Sequence, residues 1–258
     1  MNMQITLLQC NIEWGNPPAN RARMEHTLHV APHSDLYVLP EMWSTGFITN
    51  PADYDCIEGE EGNTLRWMTQ MAQHLGAALA GSLSIMAKDG TYRNRFYFVT
   101  PDSVAYYDKH HLFTYGGEHL RYTPGQKRVV VEWRGVRFLL QVCYDLRFPI
   151  FARNAADGAE TYDVALYVAS WPITRRAPWD LLLRARAIEN QAYVCGVNRI
   201  GHDPACTYNG GTCLIDAYGH TLQACPDDTE SSITCTLDLD QLRAFRQKFP
   251  VLHDRDPR

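Results

Sequence analysis

Three apolar stretches of this sequence each end at a polar residue that is costly to bury. They are residues 36–40 with Glu41, residues 104–107 with Lys109 just beyond, and residues 138–142 with Cys143. Ligand sites in α/β proteins collect at the carboxyl ends of strands, so the three side chains can converge on one pocket. A carboxylate that takes a proton, a cation that meets developing negative charge and a thiol nucleophile suit attack on a carbonyl carbon.

Each of these residues also has an ordinary interpretation when it is taken alone. Glu41 could be a solvated loop residue or a helix cap, Lys109 a surface lysine and Cys143 a buried inert thiol. A cysteine with a histidine would suggest a papain-like pair, and His110 and His111 directly follow Lys109. Adjacent side chains point in different directions, so we interpret both histidines as polar wall or surface residues.

The other seven cysteines do not indicate a disulfide framework or a metal site. Several lie inside apolar strand-like runs, and the chain is long enough to build its own core without cross-links. There is no C-x-x-C pair and no close group of Cys and His, so we expect no zinc. We therefore expect reduced, mostly structural thiols and a cytoplasmic protein.

Composition excludes some classes of partner. The 258 residues include 24 Lys and Arg against 29 Asp and Glu, a net charge of −5, so we expect no general affinity for nucleic acid or anionic membranes. No apolar run approaches the roughly 20 residues of a membrane span. The first 15 residues lack a basic region followed by an apolar one, so we expect no secretory signal.

Short apolar runs alternate with helical patterns along the chain, which predicts an α/β fold. Residues 164–169 are apolar on both faces and must be buried on both sides, while hairpins among the strands favour mixed sheets. Asn63 is predicted to cap a helix. A helix over residues 179–193 is predicted to place Leu181, Ala185, Ile188 and Ala192 on one face. We expect one domain over residues 1–258, with a polar, poorly ordered tail at about 253–258.

Three motifs carry a resemblance to a known family. PEMWSTGF (residues 40–47), YDKHHLF (107–113) and QVCYDLRFP (141–149) resemble the catalytic motifs of the nitrilase superfamily of carbon–nitrogen hydrolases. Later stretches, among them ASWP (169–172) and FRQKFP (245–250), resemble the bacterial omega-amidase branch, also called 2-oxoglutaramate amidase. The resemblance implies a four-layer α-β-β-α sandwich with mixed sheets, and two subunits that pair to extend it.

The resemblance also implies roles for individual residues. Glu41 is expected to be the general base, Cys143 the nucleophile that forms a thioester, and Lys109 the cation that meets the oxyanion. The backbone N–H of Tyr144 is the expected second oxyanion donor. Glu118 matches a second glutamate of the family and is expected to orient Lys109 or the substrate amide. No metal or organic cofactor is needed for this chemistry.

The expected substrate is a small amide with carboxylate and keto groups. Phe47 and Trp171 are expected to wall the pocket, and Arg175, or Arg176, to meet the carboxylate. Arg147 is interpreted as an ion-pair partner that steadies the cysteine turn. Alternatives are another hydrolase of the superfamily, such as a nitrilase, an N-carbamoyl amidohydrolase or another aliphatic amidase, and a non-enzymatic module of the same fold.

Overall fold

The computed structural model describes residues 2–256. The strands are β1 (Asn2–Gln9), β2 (Leu36–Val38), β3 (Glu58–Gly59), β4 (Ala78–Met86), β5 (Tyr92–Val99), β6 (Val104–Asp108), β7 (Val130–Trp133), β8 (Val136–Val142), β9 (Val164–Ala169), β10 (Tyr193–Asn198), β11 (Ile200–His202), β12 (Thr207–Asn209), β13 (Cys213–Ile215), β14 (Thr221–Ala224) and β15 (Ser231–Asp238). The α-helices are α1 (Pro17–Val30), α2 (Asn63–Leu75), α3 (Pro149–Ala152), α4 (Arg176–Asn190) and α5 (Leu239–Lys248). Strands and helices alternate as the sequence predicted.

The strands form two mixed sheets and a small hairpin. The first sheet has the order β15-β1-β2-β4-β5-β6, with β3 beside β4. The second has the order β14-β13-β10-β9-β8-β7, and β11 pairs with β12. The pairs β1–β2, β2–β4, β8–β9 and β9–β10 are parallel, whereas β4–β5, β5–β6 and β7–β8 are antiparallel hairpins. The predicted mixed sheets are confirmed.

The two sheets face each other across one apolar core. Alternate residues of β1, namely Met3, Ile5 and Leu7, belong to the same buried cluster as the apolar side chains of β8 and β9. Phe98 of β5 and Phe138 of β8 meet across this core with ring centroids 5.4 Å apart. Because strand side chains alternate between faces, the other face of the first sheet is left for helices.

Helices cover the outer faces of both sheets. Met24 and Leu28 of α1 and Met68 and Ala72 of α2 pack with outward-facing residues of the first sheet in a second buried cluster. On the other side, α4 packs against β10 and β13 of the second sheet. The arrangement is the four-layer α-β-β-α sandwich that the resemblance implied.

The buried face of α4 differs from the prediction. The helix buries Trp179, Leu183 and Ala187, whereas Leu181 and Ile188 are exposed. Both stripes are apolar and both have helical spacing, so periodicity alone could not choose between them. The buried stripe also carries polar residues that misled the prediction, such as Arg186, which donates to the main-chain oxygen of Leu146 at 2.6 Å.

The start of α2 also differs from the prediction. Asn63 is the first helical residue, Gly62 occupies the cap position, and Asn63 makes no capping hydrogen bond. The carboxylate of Glu58 accepts the N–H of Thr64 at 2.6 Å instead. A side chain that lies outside the cap position, six residues before Thr64, therefore satisfies a free N–H group of the first turn, which a rule for the cap residue alone does not detect.

The part of the polar tail that the structure describes lies against the body of the protein. Val251–Asp254 forms a 3₁₀ turn with Leu252 buried. The guanidinium of Arg255 donates to the main-chain oxygen of Asn154 at 3.0 Å. The expectation for the last two residues lies outside the described part. Among the described helices, none has the length and apolarity required to cross a membrane.

Candidate active site

Glu41, Lys109 and Glu118 form a buried ionic cluster. Glu41 comes shortly after β2, Lys109 directly after β6, and Glu118 begins a 3₁₀ turn in the loop that follows. The Lys109 Nζ donates to Glu41 Oε1 and to Glu118 Oε2, each at 2.9 Å, and the three side chains are 0% exposed. Charges removed from water in this way persist only when they are paired and hydrogen-bonded. The predicted residues Glu41, Lys109 and Glu118 are therefore brought together.

Neutral donors complete the shell around the two carboxylates. Asn94 of β5 donates through Nδ2 to Glu41 Oε1 at 2.8 Å and to Glu118 Oε1 at 2.9 Å. The backbone N–H of Ser170 donates to Glu41 Oε2 at 2.8 Å, and that of Phe113 to Glu118 Oε2 at 2.6 Å. These bonds hold both carboxylates in fixed orientations around Lys109.

Asn94 was missed at the sequence level, although a signal was present. Asn94, Phe96 and Phe98 alternate along β5 and face the inter-sheet core. A polar amide in register with two buried aromatic residues needs a buried partner, since an unsatisfied amide in a core is costly. That partner is the Glu41–Glu118 pair.

The cluster changes the acid–base properties of its members. Burial disfavours the Lys109 ammonium, but the charges of Glu118 and Glu41 outweigh burial and raise the pKa of Lys109. Burial raises the pKa of Glu118, and the positive charge of Lys109 partly offsets this rise. Lys109 therefore remains a cation at any physiological pH.

Cys143 lies beside this cluster at the end of β8. It is the first residue of the 3₁₀ helix Cys143–Arg147 and has a φ of 45°, a left-handed conformation that is strained for a non-glycine residue. Burial, followed by the charge of Glu41 and a hydrogen bond to it, raises the pKa of the Cys143 thiol well above its usual range. The resting sulfur is thus a protonated thiol with a carboxylate within reach.

Asp145 ties the cysteine turn to the lysine strand. Its Oδ2 accepts the N–H of Val142 at 2.9 Å and the hydroxyl of Tyr107 at 2.8 Å. Its Oδ1 accepts the N–H of His111 at 3.0 Å and lies 2.8 Å from the Nδ1 of that ring. Tyr107 and His111 flank Lys109 by two residues on either side, so one buried carboxylate links both halves of the site. Sequence analysis did not identify this residue.

The two histidines that follow Lys109 pack against aromatic rings. His110 stacks on Phe151 with centroids 4.2 Å apart, and His111 stacks on Phe148 at 3.9 Å. The Nδ1 of His110 lies 2.6 Å from the main-chain oxygen of Gly125. Both histidines are half-buried and neither ring lines the cavity at Cys143. A papain-like cysteine–histidine pair is therefore not formed.

A cavity of about 590 Å³ opens above Cys143. Its lining includes the predicted substrate residues Phe47, Tyr144, Trp171 and Arg175. Glu41, Lys109 and Glu118 lie behind this lining, whereas Cys143, beside the cluster, reaches the cavity. The Lys109 Nζ is 5.3 Å from the ring centroid of Phe47. The site therefore joins a buried ionic pocket to an aromatic-walled space large enough for a small organic molecule.

The arginines near the cavity divide into two groups. Arg176 points away and pairs with Asp180 at 2.8 Å and Asp227 at 2.9 Å. Arg175 lines the cavity and lies over the rings of Phe113 and Tyr115. The ion-pair interpretation of Arg147 was wrong: within residues 2–256 it has no carboxylate partner, and its guanidinium lies 5.1 Å from the ring centroid of Trp171 in the cavity wall.

No group of three or more His, Cys, Asp or Glu side chains with metal-binding geometry occurs in the described part of the chain. All eight cysteines carry free thiols. The expectation that the thiols are unpaired agrees with this arrangement. The Glu41 and Glu118 carboxylates, the obvious hard-ion ligands, are occupied by the Lys109 ammonium and by N–H donors.

Comparison with known proteins identifies the class. The sequence model of the carbon-nitrogen hydrolase family matches residues 4–247. The chain is 43% identical to the Escherichia coli K12 omega-amidase YafV over 256 residues, which are 98% of this chain and 97% of that protein. It is 32% identical to the Bacillus subtilis 2-oxoglutaramate amidase, with 98% of each chain covered.

Solved structures lead to the same family. The crystal structure of XC1258 from Xanthomonas campestris, a CN-hydrolase superfamily protein with an arsenic adduct in its active site, matches with a TM-score of 0.95 and 39% identity, covering 100% of this chain and 98% of that one. This chain therefore belongs to the carbon-nitrogen hydrolase family and is a hydrolase that acts on carbon–nitrogen bonds other than peptide bonds. The predicted nitrilase-type fold, the enzyme class and the likeness to the omega-amidase branch are confirmed.

Proposed function

We propose that this protein is an omega-amidase, which releases ammonia from the terminal amide of a 2-oxo dicarboxylic acid of the 2-oxoglutaramate or 2-oxosuccinamate type. The observation that carries the proposal is the Glu41–Lys109–Glu118 cluster, fully buried behind a thiol that opens on a cavity with an unpaired arginine. The relatives named as omega-amidases, which align with nearly the whole chain, support the substrate class.

The first half-reaction forms a thioester. Glu41 takes the thiol proton of Cys143 as the sulfur attacks the amide carbon. The raised pKa of Cys143 favours transfer of this proton during attack rather than a standing thiolate. Glu41 then gives the proton to the departing nitrogen, the carbon–nitrogen bond breaks, and ammonia leaves.

The charge that develops on the carbonyl oxygen meets two donors. The Lys109 ammonium is a fixed cation whose raised pKa keeps it charged. The N–H of Tyr144 lies in the first turn of the 3₁₀ helix, where N–H groups have no partner within the helix. Loss of one such donor typically costs about 3–4 kcal/mol of transition-state stabilisation.

The second half-reaction consumes water. Glu41 accepts a proton from water, hydroxide adds to the thioester carbon, and the sulfur leaves and recovers its proton. Glu118 does not exchange a proton in this scheme. It holds Lys109 in place, together with Asn94, so that the ammonium points at the oxyanion position rather than at Glu41 alone.

The decisive assay is ammonia release from 2-oxoglutaramate by the wild type and by Cys143→Ala. The wild type should release ammonia. The rate of the variant should be at least about 1000-fold lower, because no other group supplies the nucleophile. Equal rates would exclude Cys143 as the nucleophile. A panel that adds nitriles, N-carbamoyl amino acids and simple aliphatic amides distinguishes the alternative hydrolases, any of which would be favoured by faster turnover of its own substrate.

Arg175 is proposed to bind the substrate carboxylate, with Trp171 and Phe47 as apolar walls. Arg175→Gln should lower kcat/KM for 2-oxoglutaramate by roughly 10- to 100-fold, the value of a charge-assisted hydrogen bond. Arg176→Gln is the matched control, since Arg176 is the next residue but forms its ion pairs outside the cavity. Equal effects of the two substitutions would argue against a carboxylate subsite at Arg175.

We also propose that the chain forms one cytoplasmic domain that pairs into a homodimer. The eight free thiols suit a reducing compartment. Fractionation of the native host, with detection of the protein in the cytoplasmic fraction, tests this location.

Pairing is supported by the outer stripe of α4, where Leu181 is 68% and Ile188 is 53% exposed beside the exposed ring of Tyr218. Neighbouring exposed apolar side chains of this kind are typical of subunit interfaces.

The oligomer is tested by light scattering on Leu181→Asp with Ile188→Asp. The wild type should have twice the mass of one chain, and the double variant should have the mass of one chain because two buried charges would face each other at a symmetric interface. Val30→Asp, on the exposed end of α1, is the control. A wild type that has the mass of one chain at micromolar concentration would contradict the homodimer.

A further inference from the structure

Arg147 and Arg175 differ from every other partly or fully buried arginine in the described part of the chain. The others donate to a carboxylate, a hydroxyl or a main-chain oxygen, as Arg95 does to Asp108 and Arg199 to Ile12. Within residues 2–256 the guanidinium groups of Arg147 and Arg175 lie over aromatic rings and have no hydrogen-bond or ion-pair partner. Both line the cavity above Cys143.

An unpartnered guanidinium that is half-buried indicates a missing acceptor. Each guanidinium has five N–H donors, and their removal from water is unfavourable unless they find oxygen atoms. Stacking on an aromatic face offsets part of this cost and leaves the edges of the guanidinium free to donate in its plane. Two such groups on one cavity wall therefore indicate a ligand with two separate acceptor groups.

Trp171 fixes the two arginines relative to each other. The guanidinium of Arg147 lies over the Trp171 ring, and the indole N–H of Trp171 donates to the main-chain oxygen of Arg175 at 2.6 Å. Arg175 also lies over Tyr115, which is 86% exposed, whereas Trp171 is 3% exposed. Arg175 therefore stands near the mouth of the cavity and Arg147 deeper.

Arg147 is also tied to the nucleophile. It lies four residues after Cys143 on the same 3₁₀ helix, which places the two Cα atoms about 8 Å apart at ~2.0 Å per residue. Both residues line the same cavity, so Arg147 lies within the length of a short acid whose amide carbon is at Cys143.

We propose that Arg147 is a specificity-determining residue that binds the 2-oxo group of the substrate, while Arg175 binds the adjacent carboxylate. This inference rests on the proposed omega-amidase function and deepens it. In a 2-oxo acid the keto oxygen is next to the carboxylate, on the side toward the amide. The two arginines then bind the keto group and the carboxylate, the two groups that distinguish such a substrate from a plain aliphatic amide.

The test compares two substrates that differ only in the keto oxygen, 2-oxoglutaramate and glutaramate. Arg147→Gln should lower kcat/KM roughly 10- to 100-fold for 2-oxoglutaramate and less than about 3-fold for glutaramate, because the variant loses a charge-assisted bond only with the first. Arg175→Gln should lower both to a similar extent. Arg147→Lys keeps the positive charge but lacks the planar guanidinium with its paired N–H donors, and it should recover part of the selectivity.

A binding experiment separates this inference from the proposed function. In the Cys143→Ala background, calorimetry should give tighter binding of 2-oxoglutarate than of glutarate, and Arg147→Gln should abolish the difference while the melting temperature stays within a few degrees. An equal fall in kcat/KM for both substrates in Arg147→Gln, or an unchanged binding preference, would overturn the role of Arg147. Neither result would contradict the proposed omega-amidase activity. A wild type without activity on 2-oxoglutaramate would overturn the proposed function, whereas a binding preference lost in Arg147→Gln would still support the subsite.

Discussion

The thiol of Cys143 shows how strongly one residue depends on its surroundings. Its sulfur lies beside two carboxylates and one ammonium at the wall of the cavity, and the pKa of the thiol is raised first by burial and then by Glu41. A thiol held in this state is a poor nucleophile toward adventitious electrophiles. In the proposed mechanism it becomes reactive when an amide carbon is in place and the proton moves to Glu41.

The pH dependence of Cys143 alkylation tests this account. In Glu41→Gln the nearby negative charge is lost, so the thiolate is less disfavoured and the pKa of Cys143 falls. The rate of iodoacetamide labelling of Cys143, followed by peptide mass spectrometry, should therefore rise at lower pH than in the wild type. Lys109→Met removes a stabilising cation and should shift the profile to higher pH. The same midpoint in all three proteins would contradict an electrostatic origin.

Asp145 allows a prediction about positioning. Four groups donate to Asp145: the N–H groups of Val142 and His111, the hydroxyl of Tyr107, and the Nδ1 of His111, which can only donate to a carboxylate oxygen. Only an acceptor with four lone pairs fits this set. Asp145→Asn would set an amide NH₂ against a donor and displace the cysteine turn. We expect kcat to fall by up to about 100-fold, since a misplacement near 1 Å has that effect, with KM changed less than about 3-fold.

The control for Asp145 is Asp216→Asn, which changes the same groups in an exposed turn where Asp216 accepts the N–H of Tyr218 and of His220. It should leave kcat unchanged. Tyr107→Phe removes one donor from Asp145 and should give an intermediate loss. A normal kcat in Asp145→Asn would show that the turn holds its geometry without this carboxylate.

Among the secondary-structure elements, α4 and β10 show how close packing fixes the second sheet. Gly196 lies in β10 beneath α4, and a Cβ there would come within 2.4 Å of Leu183 and 2.9 Å of Trp179. The helix therefore contacts the strand at a distance that only glycine permits. Asn198 ends β10 two residues after Gly196, and Ser170 directly follows the neighbouring strand β9, so the contact also supports the rim of the site.

Gly196→Ala should destabilise the fold by about 1–3 kcal/mol, the usual cost of overpacking, because two large side chains must move. Urea unfolding monitored by tryptophan fluorescence measures this change. Gly59→Ala in β3 is a matched control, since its nearest neighbour is 3.8 Å from the added Cβ and its φ is not positive. A variant at Gly196 as stable as the control would mean that α4 shifts freely over the sheet.

On the scale of the whole molecule, the site exists only because two sheets face each other. Glu41 and Lys109 follow strands of the first sheet, whereas Cys143 and Ser170 follow strands of the second. The bond from the Ser170 N–H to Glu41 crosses between them. The apolar core that holds the sheets together therefore also sets the distances between the proposed catalytic groups.

Phe98→Ala tests this dependence on the core. The ring of Phe98 is fully buried and meets Phe138 across the sheets, so its removal should cost about 3–5 kcal/mol. Calorimetry should show one transition at a lower temperature, and amidase activity should disappear in that same transition if the chain is one domain. Val30→Ala, at a 69% exposed position, should have little effect. Two separate transitions would contradict the single domain.

The sequence alone determined many of the elements and indicated which residues are proposed as the reactive groups. Apolar runs are local features of a sequence, so strands such as Val164–Ala169 could be predicted, and that prediction is confirmed. Glu41, Lys109 and Cys143 stood out because each polar residue interrupts an apolar run. Those signals depend only on neighbours along the chain.

Only the tertiary structure decided which of these groups meet and which partners they find. The buried stripe of α4, the bonds from Asn94 to both glutamates, the four donors of Asp145 and the missing ion pair of Arg147 all depend on residues distant along the chain. Hydrogen bonds and burial are satisfied by whatever lies nearby in space, and a sequence does not list spatial neighbours. For that reason the thiol of Cys143 could be predicted, while the two arginines that line the same cavity could not be told apart from their paired neighbours.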